Sequence, residues 1–127
     1  MQDKGFRKLE TWQKAFGFAL QVYRTTHVFP KEELYTLTQQ LKRSAVSVSA
    51  NIAEGYERQH RKEYIQFLAI AKGSLGEVET YLLLARELGY FHSDQYQLLE
   101  ASRQEVARLL TGLIRSLRPT PVPPDYR

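Results

Sequence analysis

Apolar residues recur at spacings of three and four along most of this chain, the period of helices that bury one face. Leu9, Trp12, Phe16, Ala19, Leu20 and Tyr23 predict a first helix over about Leu9 to His27, ending before Phe29-Pro30. Pro30 suits the first turn of a second helix, with Glu32 and Glu33 near its positive end. Leu34, Leu37, Leu41, Ala45, Val48 and Ile52 carry its stripe to a stop near Gly55. The third and longest helix begins around Arg61, carries Tyr64, Phe67, Leu68, Ala71, Leu75, Val78, Leu82 and Ala85, and is closed by Gly89. Ser93 as N-cap and Asp94 in the first turn open a fourth helix, whose apolar line is Tyr96, Leu99, Val106, Leu110, Leu113 and Leu117. No strand pattern competes. Short connections make successive helices antiparallel neighbours, so the expected fold is all-α, an antiparallel up-down-up-down four-helix bundle over residues 1–118. From Pro119 to Arg127 four prolines forbid a helix and predict an extended Pro-rich C-terminal tail, in which Pro121-x-x-Pro124 reads as a semi-rigid spacer.

One stretch departs from the ordinary helical pattern. Ser44 to Ala53 has no charged side chain, although a quarter of the chain is charged and the flanks are Lys42-Arg43 and Glu54. At 100° per residue, Leu41, Ala45, Val48 and Ile52 form one stripe, Ser44, Ser47 and Asn51 one flank, and Val46, Ala50 and Ala53 the other. All three sides are small or apolar, so neighbours are expected nearly all round and at close range. Three partners within one chain cannot easily cover both this helix and Tyr81-Leu-Leu-Leu84. The chain is therefore expected to self-associate, with Val46, Ala50, Ala53, Tyr81 and Leu84 as interface candidates. Asn51 and Glu54 are read structurally, Asn51 as a helix-to-helix hydrogen bond and Glu54 as an ion-pair partner of a nearby base. Trp12 is read as a core or interface anchor.

Composition narrows the function classes. With 127 residues and 43% apolar content the chain suits one domain with a real core. It has no cysteine, which removes disulfides and thiolate metal sites and agrees with a reducing cytoplasm. The amino terminus reads as no signal peptide and no run approaches the roughly 20 apolar residues of a membrane span, so a cytoplasmic protein with no membrane partner is expected. Six basic against two acidic residues between Met1 and Lys31 account for the whole net charge of +4. Such a patch can serve phosphates or simply solubility. The candidate nucleic-acid contacts are Lys42, Arg43, Arg58, Arg61 and Lys62, assigned to the second-to-third helix connection, together with Arg7, Lys8 and Lys14.

Catalytic chemistry finds little support. Glu57-Arg-Gln-His60 has the Glu-x-x-His spacing of di-iron bundles, but such a site needs the motif twice and two further glutamates, and His27 and His92 lack a glutamate three residues earlier. The serines of the second helix are accounted for as small packing residues whose hydroxyls bond the backbone. Gly73-Ser-Leu-Gly76 lacks the lysine and the Ser/Thr of a phosphate loop. No catalytic residue, metal, cofactor or small-molecule substrate is expected, and the chain reads as a non-enzyme.

Three ordered groups of residues resemble a known family: Phe6-x-x-Leu9-x-x-Trp12-Gln-Lys-Ala15; Leu37-Thr-x-Gln40-x-Lys-Arg43-Ser-Ala-Val-Ser47 with Asn51-Ile-Ala-Glu-Gly55; and Lys62-Glu-Tyr-Ile-Gln-Phe-Leu68 with Ala71-Lys-Gly-Ser74 and Glu77. They closely resemble the four-helix-bundle proteins related to the 23S rRNA intervening-sequence proteins, over about Phe6 to Leu117. The resemblance implies a small bacterial protein and a ring of five subunits. A distant relative, the accessory protein of diversity-generating retroelements, is a basic pentamer that works with a reverse transcriptase and RNA. Where many members have a proline shortly before the asparagine, this chain has Ser49. Two functions follow: a homo-oligomeric accessory protein that binds RNA or a nucleoprotein, or a protein-interaction scaffold that binds no nucleic acid.

Overall fold

The computed structural model describes residues 5–119. A short 3-10 turn, Gly5–Lys8, leads into α1, Glu10–Thr25. Two further 3-10 turns, Thr26–Val28 and Lys31–Glu33, precede α2, Leu37–Tyr56, which is followed by α3, Arg61–Glu87, and α4, Ser93–Leu117. Among the described residues all regular structure is helical. Residues 120–127 of the predicted Pro-rich tail lie outside the described residues.

The principal helix contacts join α1 to α2, α2 to α3, α3 to α4 and α4 back to α1. They enclose one core: Phe18 and Val22 from α1, Leu41, Val48 and Ile52 from α2, Leu68, Leu75 and Leu82 from α3, Leu99, Val106 and Leu110 from α4. The two ends can be told apart by their contacts. Phe29 packs on Tyr90 and Phe91 at ring distances of 5.6 and 5.4 Å, so the α1–α2 and α3–α4 connections share one end. The first 3-10 turn packs on α2, and Gly5 lies beside Tyr56 and Glu57, which puts the start of α1 at the α2–α3 connection.

Three local expectations need correction. The second helix does not run from Pro30; the chain makes a 3-10 turn, and Thr36 at φ −122°, ψ −102° breaks the path before α2 begins at Leu37. Leu34 matched the helical spacing but is exposed. Ser93 is the first residue of α4 rather than its cap: His92 is the N-cap, and its backbone N–H donates to Gln95 Oε1 at 3.0 Å. The third correction concerns the face of α1. Its buried residues are Thr11, Ala15, Phe18, Ala19 and Val22, whereas Phe16, Leu20 and Tyr23 are 46, 40 and 45% exposed. The larger apolar set is turned by about 100° from the core.

Candidate functional site

The uncharged helix owes its composition to its seam with α3. A Cβ on Gly55 would come within 2.8 Å of the Phe67 Cβ, 3.0 Å of a Tyr64 ring carbon and 3.2 Å of the Tyr64 carbonyl oxygen, so only glycine lets the two backbones come this close. Further along, Ser47 Oγ and Ser74 Oγ share a hydrogen bond of 3.0 Å between the helices. Asn51 does not reach across: its Nδ2 donates to the carbonyl oxygen (2.8 Å) and hydroxyl (2.9 Å) of Ser47, and the Ser47 hydroxyl carries the contact on to α3. Ser49 stays within α2, its hydroxyl donating to the Val46 carbonyl at 3.2 Å. Glu54 accepts from Arg58 Nη2 at 2.8 Å, the ion pair expected from sequence.

The described residues leave the outward side of α2 uncovered. Val46 is 41% exposed and Ala50 is exposed, with Ala53 half-buried. On the α1 shoulder the displaced set Phe16, Leu20 and Tyr23 joins this surface, with Lys42 Nζ 4.7 Å from the Tyr23 ring centre tying α1 to α2. Trp12 is half-buried, stacks on Phe16 at 5.0 Å and meets Phe6 edge-on at 5.1 Å. On the α3 shoulder Ile70 and Leu84 are exposed and Tyr81 is half-buried. Leu83, Leu88 and Leu98 are exposed as well. Phe16, Leu20, Tyr23 and Ile70 were not singled out as surface residues from sequence. The available signal was that α1 carries two apolar sets, Ala15-Phe18-Ala19-Val22 being the second, and one helix cannot bury both in a single core.

The basic candidates do not form one patch. Arg58, Arg61 and Lys62 lie at the α2–α3 connection, and Arg7 and Lys8, in the 3-10 turn that packs on α2, are at the same end. Lys42 and Arg43 belong to the other end of α2; Arg43 is 13 residues from Tyr56, roughly 20 Å along the axis. Arg58 is engaged by Glu54 and by Glu63 at 3.8 Å and lies 4.9 Å from the Phe67 ring centre. Lys14 faces Glu105 across the α1–α4 seam at 3.7 Å. Arg7, Lys8, Arg61 and Lys62 are exposed and enter no ion pair among the described residues.

Elsewhere the polar groups are tied up locally. Arg103 of α4 is buried and donates twice to Glu100 at 2.7 Å and once to Glu79 of α3 at 3.1 Å; its guanidinium holds the Glu100 carboxyl below the usual carboxylate range. Glu33 links the two connections by accepting from the Tyr90 hydroxyl at 2.6 Å and from the Thr36 hydroxyl at 2.5 Å; the Thr36 bond, then the Tyr90 bond, lowers its pKa. Tyr64, edge-on to Tyr56, has its hydroxyl pushed up by burial. Glu57 and His60 flank the turn between α2 and α3. Among the described residues no three His, Asp or Glu side chains gather as metal ligands, and no helix is long and apolar enough to cross a membrane.

Set against known proteins, the chain is similar in structure to a Bacteroides thetaiotaomicron VPI-5482 protein of unknown function from the S23 ribosomal protein family. The TM-score is 0.77 at 26% sequence identity, covering 83% of this chain and 98% of that one. No curated protein matches it. Residues 7–112, which include α1, α2, α3 and most of α4, match the family model described as 23S rRNA-intervening sequence protein, and the chain belongs to that family.

Proposed function

We propose that the protein is a non-enzymatic, cytoplasmic, homo-oligomeric accessory factor that contacts RNA or a nucleoprotein. Its subunit is an antiparallel up-down-up-down bundle, a reading supported by the pairing of the α1–α2 and α3–α4 connections at one end. The observation that carries the proposal is the uncovered apolar surface of α2 and its shoulders: Phe16, Leu20, Tyr23 and Val46 on one side, Ile70 and Leu84 on the other. Small residues on the outer face of α2 would admit a neighbouring helix at short distance, and different patches on the two shoulders suit head-to-tail contacts that close into a ring. A ring of five is what the family resemblance implies. RNA contact is supported by family membership and by Arg7, Lys8, Arg61 and Lys62 at one end, which enter no ion pair among the described residues. Each such cluster would recur in every subunit, so weak phosphate contacts would add.

The interface is tested by a pair of substitutions. Ala50→Arg puts a charge on the uncovered face and is expected to leave helicity intact while dissociating the oligomer; Ala45→Arg puts one into the core, where Ala45 is fully buried, and is expected to unfold the subunit. Circular dichroism and light scattering after size exclusion read both, and a wild-type monomer at micromolar concentration would remove the oligomer. Fluorescence anisotropy with structured and single-stranded RNA tests the second half. Arg7→Glu, Lys8→Glu, Arg61→Glu and Lys62→Glu together should abolish binding and flatten its steep fall with salt. Absence of binding by the intact oligomer would leave the protein scaffold, whose support is the same apolar surface.

A further inference from the structure

The seam between α1 and α4 holds a groove of about 400 Å³, within the roughly 300–1,000 Å³ of clefts that take ligands. Phe18, 1% exposed, is at its floor, and Gln21 and Ser102 bring an amide and a hydroxyl to its wall. Lys14 and Glu105 face each other across it at 3.7 Å, a loose pair with each side chain nearly half exposed, so both can take other partners. An apolar helix laid here would strip water from an amide, an ammonium and a carboxylate without bonding them. An extended, proline-rich segment suits the groove better, because its backbone carbonyls need donors and its prolines have no N–H to satisfy.

The chain supplies such a segment at the right end. α4 runs away from the α3–α4 connection and finishes at the end where α1 starts. Arg118 leaves the helix at φ −76°, ψ 133°, close to polyproline II, and the chain bends at Pro119. Thr120 to Arg127 follow, outside the described residues. Glu105 precedes Arg118 by 13 residues of α4, roughly 20 Å along the axis. Pro119 to Pro124, six residues in polyproline form, span roughly 19 Å. An arm turned back along α4 at Pro119 therefore ends level with Lys14 and Glu105.

We propose that the tail of this chain docks in its own α1–α4 groove, with Pro119 to Pro124 as a stiff arm and Asp125-Tyr126-Arg127 as the part that binds. Asp125 pairs with Lys14, Arg127 with Glu105, and the Tyr126 ring lies over Phe18 with its hydroxyl beside Ser102 and Gln21. The charges along the tail, acid then base, complement the base and acid that the groove offers. Four prolines have fixed φ in advance, which lowers the entropy lost on docking. A tether whose length matches its span holds the tail at an effective concentration on the order of mM, enough for contacts that would be weak between separate molecules. The docked tail straps α4 to α1 and depends neither on assembly through α2 nor on RNA contact.

The chain has no cysteine, so engineered pairs report the position of the tail. In the full chain, Ser102→Cys with Arg127→Cys is expected to form an internal disulfide on mild oxidation at least roughly tenfold faster than Gln104→Cys with Arg127→Cys, whose α4 member is exposed and outside the groove. Lys14→Glu should slow the first pair several-fold, and adding Asp125→Lys should restore it. Ending the chain at Arg118 should lower the melting temperature by roughly 3 °C with helicity unchanged. Mixing the single variants Ser102→Cys and Arg127→Cys controls for exchange between subunits, and little cross-linked dimer is expected. Equal rates for the two pairs, cross-links formed between chains in preference to within one, or an unchanged melting temperature after truncation would each overturn the assignment.

Discussion

The α2–α3 and α1–α4 seams are built by opposite rules. Between α2 and α3 the backbones meet at Gly55, and a hydroxyl pair, Ser47 and Ser74, replaces what would elsewhere be two large side chains. Between α1 and α4 a groove of about 400 Å³ is left, lined by Gln13, Lys14, Gly17, Phe18, Gln21, Ser102 and Glu105, with a half-exposed Lys14–Glu105 pair across it. Each seam contains a glycine in mid-helix or at a helix end, yet a Cβ on Gly17 would meet nothing within 4 Å whereas one on Gly55 would come within 2.8 Å of the Phe67 Cβ. The same residue type is thus a packing requirement in one seam and an idle weakness in the other. The close approach at Gly55 lies in the seam next to the proposed assembly face.

The largest effect that breaks this comparison is expected at Gly55. Gly55→Leu forces the helices apart against atoms fixed to the backbone and should cost about 3 kcal/mol or more. Gly55→Ala sets two terms against each other: a gain of about 1 kcal/mol in helix propensity and an overpacking penalty of about 1–3 kcal/mol. The penalty wins because the Phe67 Cβ and Tyr64 carbonyl cannot rotate away, so a net loss of about 1 kcal/mol is expected by urea denaturation. A neutral or stabilised Gly55→Ala protein would mean that the seam is looser than 2.8 Å implies.

A smaller effect separates the polar part of the tight seam from its shape. Ser47→Ala removes the bond to Ser74 and one acceptor of Asn51, and should cost about 1 kcal/mol, while the double change Ser47→Ala, Ser74→Ala should cost less than the sum of the singles. Additive losses would show that the two hydroxyls act independently.

These contrasts also mark what could be read from the sequence. The missing charge between Ser44 and Ala53 pointed to close neighbours, because small uncharged residues let helices approach, and the α2–α3 seam supplies one of them. The core face of α1 was misread in part: Phe16, Leu20 and Tyr23 matched the helical spacing but lie outside, while Ala15, Phe18 and Val22 join Ala19 in the core. A spacing rule cannot rank two apolar faces on one helix, since only the neighbours decide which is covered. The break before Leu37 was hidden because Leu34 continued the spacing, while its cause, Glu33 held by Thr36 and Tyr90, includes a contact 57 residues away. Grouping Lys42 and Arg43 with Arg58 and Arg61 ignored the length of α2, a quantity the sequence did supply.

The smallest expected effect lies in the loose seam and has the opposite sign. Gly17 is exposed within α1 and has open space where a Cβ would stand. Gly17→Ala should therefore gain about 0.5–1 kcal/mol from helix propensity and from a less flexible unfolded chain, raising the melting temperature by roughly 3 °C. Light scattering on the same variant sharpens the result. If the groove beside Gly17 were itself an assembly surface, the added methyl would disturb the oligomer as well as the melting curve. With α2 and its shoulders as that surface, thermal stability rises and the oligomer does not change, and Gly17 and Gly55 respond to one identical substitution in opposite directions.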